Sequence, residues 1–135
     1  MKIAIAASEF NDFIVNRLIK GASEILKKAN VEYKIFRAPG AFELPLLAKK
    51  LSGDYNAVIC LGVVIRGDTP HFDYVCSETA RGIMNVGLET GRPIIFGVLT
   101  TETSRQAEKR SSKNDNKGAY SAKAALQMLK VLKEI

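Results

Sequence analysis

YNAVICLGVVI, residues 55–65, is apolar and rich in β-branched side chains along its whole length, and it stops at Arg66. It is the longest stretch of the chain without a charge. At this length it falls well short of the roughly 20 apolar residues that a helix needs to cross a bilayer. A strand exposed on one face would alternate apolar with polar residues, and this one does not alternate. It therefore reads as a central strand covered on both faces, which requires helices above and below the sheet.

Working outward, the rest of the sequence supplies those helices. KIAIAA (2–7) has strand character. From Asn11, apolar residues recur at helical spacing through Val15, Leu18, Ile19, Ala22, Ile25, Leu26 and Ala29, and the helix is expected to end near Asn30. VEYKIFR (31–37) reads as a second strand and GAFELPLLAKKL (40–51) as a helix with Pro45 in its first turn. After Pro70 a long helix is expected to run to about Glu89, closed by Gly91, before the strand PIIFGVLT (93–100). Two helical stretches, 103–111 and 118–133, flank the polar break SSKNDNKG. Strands alternating with helices imply βαβ units with right-handed crossovers. The expectation is one α/β domain spanning 1–135, doubly wound, with about four parallel strands.

At 135 residues and 47% hydrophobic content the chain can fill one core. Its opening residues, MKIAIAASEF, imitate a signal peptide, but the apolar run is brief and polar residues follow at once, so a strand is the better reading. Cys60 and Cys76 form no CxxC pair, and Cys60 lies in the apolar run as a buried free thiol would. The chain is read as cytoplasmic and reduced, with no membrane segment. The net charge of +6 is concentrated in residues 105–135, where eight Lys/Arg face three Asp/Glu. Those cations are spread among alanines and leucines with one aromatic, Tyr120. That is the pattern of a solvated helix face, and no nucleic-acid partner is expected.

In open parallel sheets, ligands bind beyond the carboxyl ends of the strands. The unusual residues fall there: Phe10 after the first strand, PGAFE (39–43) after the second, RGDTPH (66–71) after the third and GVLTTE (97–102) at the fourth, which is expected to carry Phe96 near its end. Thr69 suits an N-cap and Pro70 the first helical position, which puts His71, the single histidine, in the first turn. The amides of Gly67, Asp68 and Thr69 would then form an anion site at a positive helix end. The same field disfavours imidazolium and helps keep His71 able to accept a proton, although a bound phosphate would push the other way. Glu43 reads equally as a helix-dipole acid or as an acceptor for ligand hydroxyls. Phe10 reads as core or as a stacking surface, Phe96 rather as core, and Arg110 as a surface cation near a helix end. P-loop, GxGxxG and GxSxG patterns are absent, and one histidine with two distant cysteines offers no metal cluster.

FNDFI (10–14), PGAFELP (39–45), GVVIRGDTPHFDYV (62–75), FGVLTTET (96–103) and NKG (116–118) resemble the lumazine synthase family, whose members catalyse the penultimate step of riboflavin biosynthesis. The resemblance covers nearly the whole chain. It implies a flavodoxin-like three-layer αβα sandwich with a four-stranded parallel sheet. It also implies a cofactor-free condensation of 5-amino-6-(D-ribitylamino)uracil with 3,4-dihydroxy-2-butanone 4-phosphate to 6,7-dimethyl-8-ribityllumazine. Carried over by position, Phe10 would stack on the pyrimidine, with Phe96 also touching it. Ala41, Phe42 and Glu43 would hold the ribityl chain, and Val63, Val64 and Ile65 would present backbone groups to the uracil. Asp68 and Thr69 would bind phosphate through their amides, completed by Arg110, and His71 would move the proton as phosphate leaves. The resemblance implies a homopentamer with sites between subunits, an icosahedral shell being the alternative, and riboflavin synthase as a further partner. The segment RSSKNDNKG (110–118) departs from the family pattern and leaves the role of Lys113 open. A flavin- or lumazine-binding module without chemistry is the rival reading, and it would have no need for both His71 and the anion loop. A phosphoacceptor signalling domain would need an aspartate ending the third strand, which is missing.

Overall fold

β3, Ala57–Ile65, lies inside a four-stranded sheet, as its composition requires. The computed structural model describes Met1–Ile135. The other strands are β1 (Lys2–Ser8), β2 (Glu32–Ala38) and β4 (Ile94–Thr101), all parallel, in the order β2-β1-β3-β4. Helix α1 (Asp12–Lys28) follows β1. A single 3-10 turn (Ala41–Glu43) and α2 (Leu44–Leu51) follow β2, and α3 (His71–Thr90) follows β3. Helices α4 (Ser104–Arg110) and α5 (Lys117–Lys133) complete the chain.

Strand periodicity of two sorts the core into two layers. Ile3, Ile5, Ala7, Ile59, Leu61 and Val63 pack against Val15, Leu18, Ala22 and Leu26 of α1 and against Ala122, Ala125 and Leu129 of α5. Ala4, Ala6, Val58 and Cys60 face the other way, onto Leu44, Ala48 and Leu51 of α2 and Ile83 and Val86 of α3. This is the three-layer αβα sandwich, and its strand order is the flavodoxin-like one. No helix is long and apolar enough to cross a membrane.

Element ends follow local chemistry. Helix α1 closes in a Schellman arrangement: Asn30 sits at φ 54, its N–H donates to the Lys27 carbonyl, and the Val31 N–H donates to that of Leu26. Helix α3 closes on Gly91 at φ 68, as its sequence predicts. The single helix expected over 40–51 is divided, with α2 proper starting at Leu44. Pro45 has no N–H to give to an earlier carbonyl, so it belongs to a first turn, and the preceding residues tighten into a 3-10 turn.

Burial pushes the Cys60 thiol from 9.0 up to about 12. A thiol reagent at pH 8 is therefore expected to leave Cys60 unmodified in the native chain and to modify it after denaturation. Native labelling of Cys60 would contradict this packing. Because the folded state holds that proton more tightly, Cys60 favours folding fully below pH 9.0 and progressively less as pH rises toward 12.

Candidate active site

The chain turns from β1 to β2 on one side and later to β3 on the other, so a crevice opens between β1 and β3 beyond their carboxyl ends. Pairing of β3 with β1 stops at Ala7 and Leu61, whereas pairing with β4 continues to Ile65 and Thr101. Over Val63–Ile65 the β1 side of β3 is therefore an open edge whose backbone groups have no strand partner. Such an edge can read the alternating donors and acceptors of a flat heterocycle.

A cleft of about 550 Å³ lies over this edge. Phe10, Ala41, Phe42, Glu43, Val63, Val64, Ile65, Thr69 and His71 all line it. Phe10 and Phe42 are exposed, at 70% and 57%, and offer aromatic faces to a ligand or a neighbour. The 3-10 turn that follows Gly40 brings Ala41, Phe42 and Glu43 to the cleft.

The loop between β3 and α3 forms the polar end. The amides of Gly67, Asp68 and Thr69 donate to no other group of the chain. The Thr69 hydroxyl accepts from the His71 N–H at 3.4 Å, a long bond that serves as a weak cap. Pro70 occupies the cap position in a helical conformation (φ −65, ψ −4), and His71 is the first residue of α3, solvent-exposed. Unpaired amides at a helix N-terminus suit a phosphate, and an imidazole stands beside them.

Three of the residues named from sequence do not line this cleft. Asp68 is exposed between Gly67 and Thr69, which do line it. Arg110 ends α4, and its Nη1 donates to Asp115 Oδ2 at 2.9 Å. Phe96 is not near the end of β4 as expected. It pairs with Cys60, five residues before Thr101, which at about 3.3 Å per residue is roughly 16 Å from the strand's carboxyl end. Lying on an edge strand and 36% exposed, it faces outward, where another chain can cover it.

Sequence reasoning missed Asn11, Phe72, Tyr74 and Val75, which also line the cleft. Tyr74 and Val75 stand three and four residues after His71 and share its helix face, so helical spacing could have found them. Asn11, which precedes α1 with a left-handed backbone (φ 59), lies outside that helical register and could not be found this way. Arg66, which the sequence reading left without a role, borders the same loop: its Nε donates to Glu102 Oε2 at 2.6 Å and its Nη2 lies 3.3 Å from Asp73 Oδ1. Hydrogen bonding to Glu102, then to Asp73, raises its pKa.

A 2-1-3-4 parallel sheet with a cleft at its switch point places the chain among flavodoxin-like α/β proteins. The chain belongs to the 6,7-dimethyl-8-ribityllumazine synthase family, whose model matches residues 1–133. A relative from Syntrophus aciditrophicus (strain SB), named 6,7-dimethyl-8-ribityllumazine synthase, is 53% identical over 141 aligned positions that cover 100% of this chain and 92% of the relative. Among solved structures, an ABC domain in complex with L-Trp from Streptococcus pneumonia superposes with a TM-score of 0.48 at 14% identity, covering 96% of this chain and 40% of that one. A de novo designed Rossmann fold protein gives 0.41 at 17% identity, covering 80% of this chain and 91% of the design.

Proposed function

We propose that this cleft is where the chain joins 5-amino-6-(D-ribitylamino)uracil to 3,4-dihydroxy-2-butanone 4-phosphate, releasing phosphate and water and forming 6,7-dimethyl-8-ribityllumazine. Family membership makes the chain a transferase of riboflavin biosynthesis. The observation that carries the assignment to this cleft is that His71 and the unpaired Gly67–Thr69 loop border the same space as Glu43 and the open edge of β3.

The uracil lies along Val63, Val64 and Ile65 with Phe10 on its face. The ribityl chain reaches Ala41, Phe42 and the Glu43 carboxylate. The ketone phosphate sits on the amides of Asp68 and Thr69. The substrate amine adds to the ketone and water leaves to give the imine; phosphate is eliminated, the resulting enol tautomerises to a carbonyl, and the second nitrogen adds there with loss of a second water, closing the ring. His71 carries protons in these steps, commonly worth about two to four orders of magnitude in rate. Holding two reactants in line supplies a comparable or larger factor. The reaction asks for no redox change.

Phe96 and Arg110 enter the site from an adjacent subunit. The outward position of Phe96 and the exposed Met84 and Leu88 on α3 support a homopentamer with sites between chains. Residues 1–135 act as one cytoplasmic unit, with riboflavin synthase as a further partner. Sedimentation velocity tests the assembly, and a monomer at micromolar concentration would overturn it.

Mixing the protein with both substrates is expected to produce the absorbance and fluorescence of the lumazine. No product would reject the reading. Arg110→Ala is expected to raise the KM for the phosphorylated substrate by roughly 10- to 100-fold, the loss of a charge-assisted contact, with little change for the uracil substrate. Equal effects on the two would remove Arg110 from the phosphate site.

A further inference from the structure

We propose that Arg66 is a positioning residue that fixes the anion loop and His71 through Glu102 and Asp73, and is not itself a phosphate ligand. The inference rests on the reading of the cleft given above. Arg66 sits where β3 ends, one residue before the loop. Its own N–H donates to the Thr101 carbonyl at 2.9 Å, anchoring the main chain to β4. Its side chain then ties three elements together. Nε reaches Glu102 at the exit of β4, Nη2 reaches Asp73, and the guanidinium lies 4.4 Å from the Phe72 ring centroid.

Phe72 and Asp73 are the two residues directly after His71, so the clamp grips the first turn of α3 beside the imidazole. Glu102 is itself held at its main chain: its N–H donates at 2.7 Å to Gln106 Oε1, the oxygen that also accepts from Thr103 N–H in the capping box that starts α4. Arg66 is thus pinned at its backbone amide and at its guanidinium, and the loop Gly67–Pro70 runs from it to the turn of α3 that it grips. Two carboxylates surround one guanidinium, so Arg66 brings no spare positive charge to a phosphate. Its role is to hold the neighbouring amides and His71 in register. Lysine is a poor substitute, because its compact ammonium lacks the planar fork that meets two carboxylates while lying against a ring.

The test is a double-mutant cycle on the full chain, Arg66→Met, Glu102→Gln and the two combined, with Arg66→Lys as the conservative variant. Turnover with both substrates is read beside the imidazole resonance of the lone histidine during titration with inorganic phosphate. Misplacement of reacting groups by about 1 Å costs up to roughly 100-fold. Arg66→Met and Glu102→Gln are each expected to lower kcat by about 10- to 100-fold while the KM for the uracil substrate stays unchanged. The double variant is expected to be no slower than Arg66→Met alone, and Arg66→Lys to restore little. In each variant the phosphate-induced shift of the His71 resonance is expected to weaken while the melting temperature holds, since exposed ion pairs add little stability.

Multiplying effects would overturn the proposal, as would a Glu102→Gln enzyme with normal turnover and a normal phosphate response. A Glu102→Gln variant that binds phosphate more tightly would mark Arg66 as a direct ligand. If the unaltered protein makes no lumazine, the functional reading fails by itself. The histidine titration still decides whether Arg66 orders the loop.

Discussion

Replacing His71 with alanine is expected to slow turnover by about two to four orders of magnitude while leaving affinity for the ribitylaminouracil nearly intact. The structure supports both halves of this expectation. His71 is solvent-exposed in the first turn of α3, so its removal opens no core cavity and costs little stability. The groups proposed to hold the uracil lie on other elements: Phe10 follows β1, Glu43 closes the 3-10 turn and Val63–Ile65 end β3. Steady-state kinetics with each substrate varied in turn, together with direct binding of the pyrimidine, make the measurement. The residual rate measures what alignment of the two substrates supplies alone. Turnover within a few-fold of the unaltered enzyme would take His71 out of the mechanism, whatever its placement.

Gly118→Ala is expected to lower stability by about 3 kcal/mol or more, the upper end of what overpacking costs, equivalent to a drop in Tm on the order of 10 °C. Gly118 is buried in the first turn of α5, and a methyl group there would overlap the Leu18 carbonyl in the middle of α1. Both partners are main chain inside helices, so neither can swing aside. The junction is also stitched: the Asn116 side chain donates to the Arg17 carbonyl at 3.1 Å and to that of Ser111 at 3.2 Å, and it accepts from the Ala119 N–H at 3.0 Å. Helix propensity alone favours alanine by about 1 kcal/mol, so a stabilised variant would mean that the two helices separate at no cost. Gly53→Ala is the control: its nearest neighbour would be the Lys50 carbonyl at 3.8 Å, and its effect is expected to stay within about 1 kcal/mol. Thermal and denaturant unfolding of both variants decide the matter.

The same contrast separates what could be read from the chain from what could not. Nine of the twelve residues that the resemblance assigns to the site line one cleft; the rim they share was legible because strand ends and helix starts follow from local periodicity and Pro/Gly punctuation. Phe96 was misplaced because PIIFGVLT shows that a strand exists without showing which of its residues stands at the rim. That position depends on register with β3. Arg66 drew no role from the sequence, and only the approach of Glu102, just past the end of β4, reveals its ion pair.

The amino-acid sequence by itself determined the alternation of strands and helices, the buried character of β3, the Gly91 and Asn30 helix ends, and the setting of Pro70 and His71 at a helix start. Each of these depends on neighbours a few positions apart. The placement of β1 between β2 and β3, the open edge at Val63–Ile65, the Arg66 clamp and the closeness of α1 to Gly118 were decided only in three dimensions. They join residues distant along the chain. Local propensity carries no information about which surfaces meet when hydrophobic layers close.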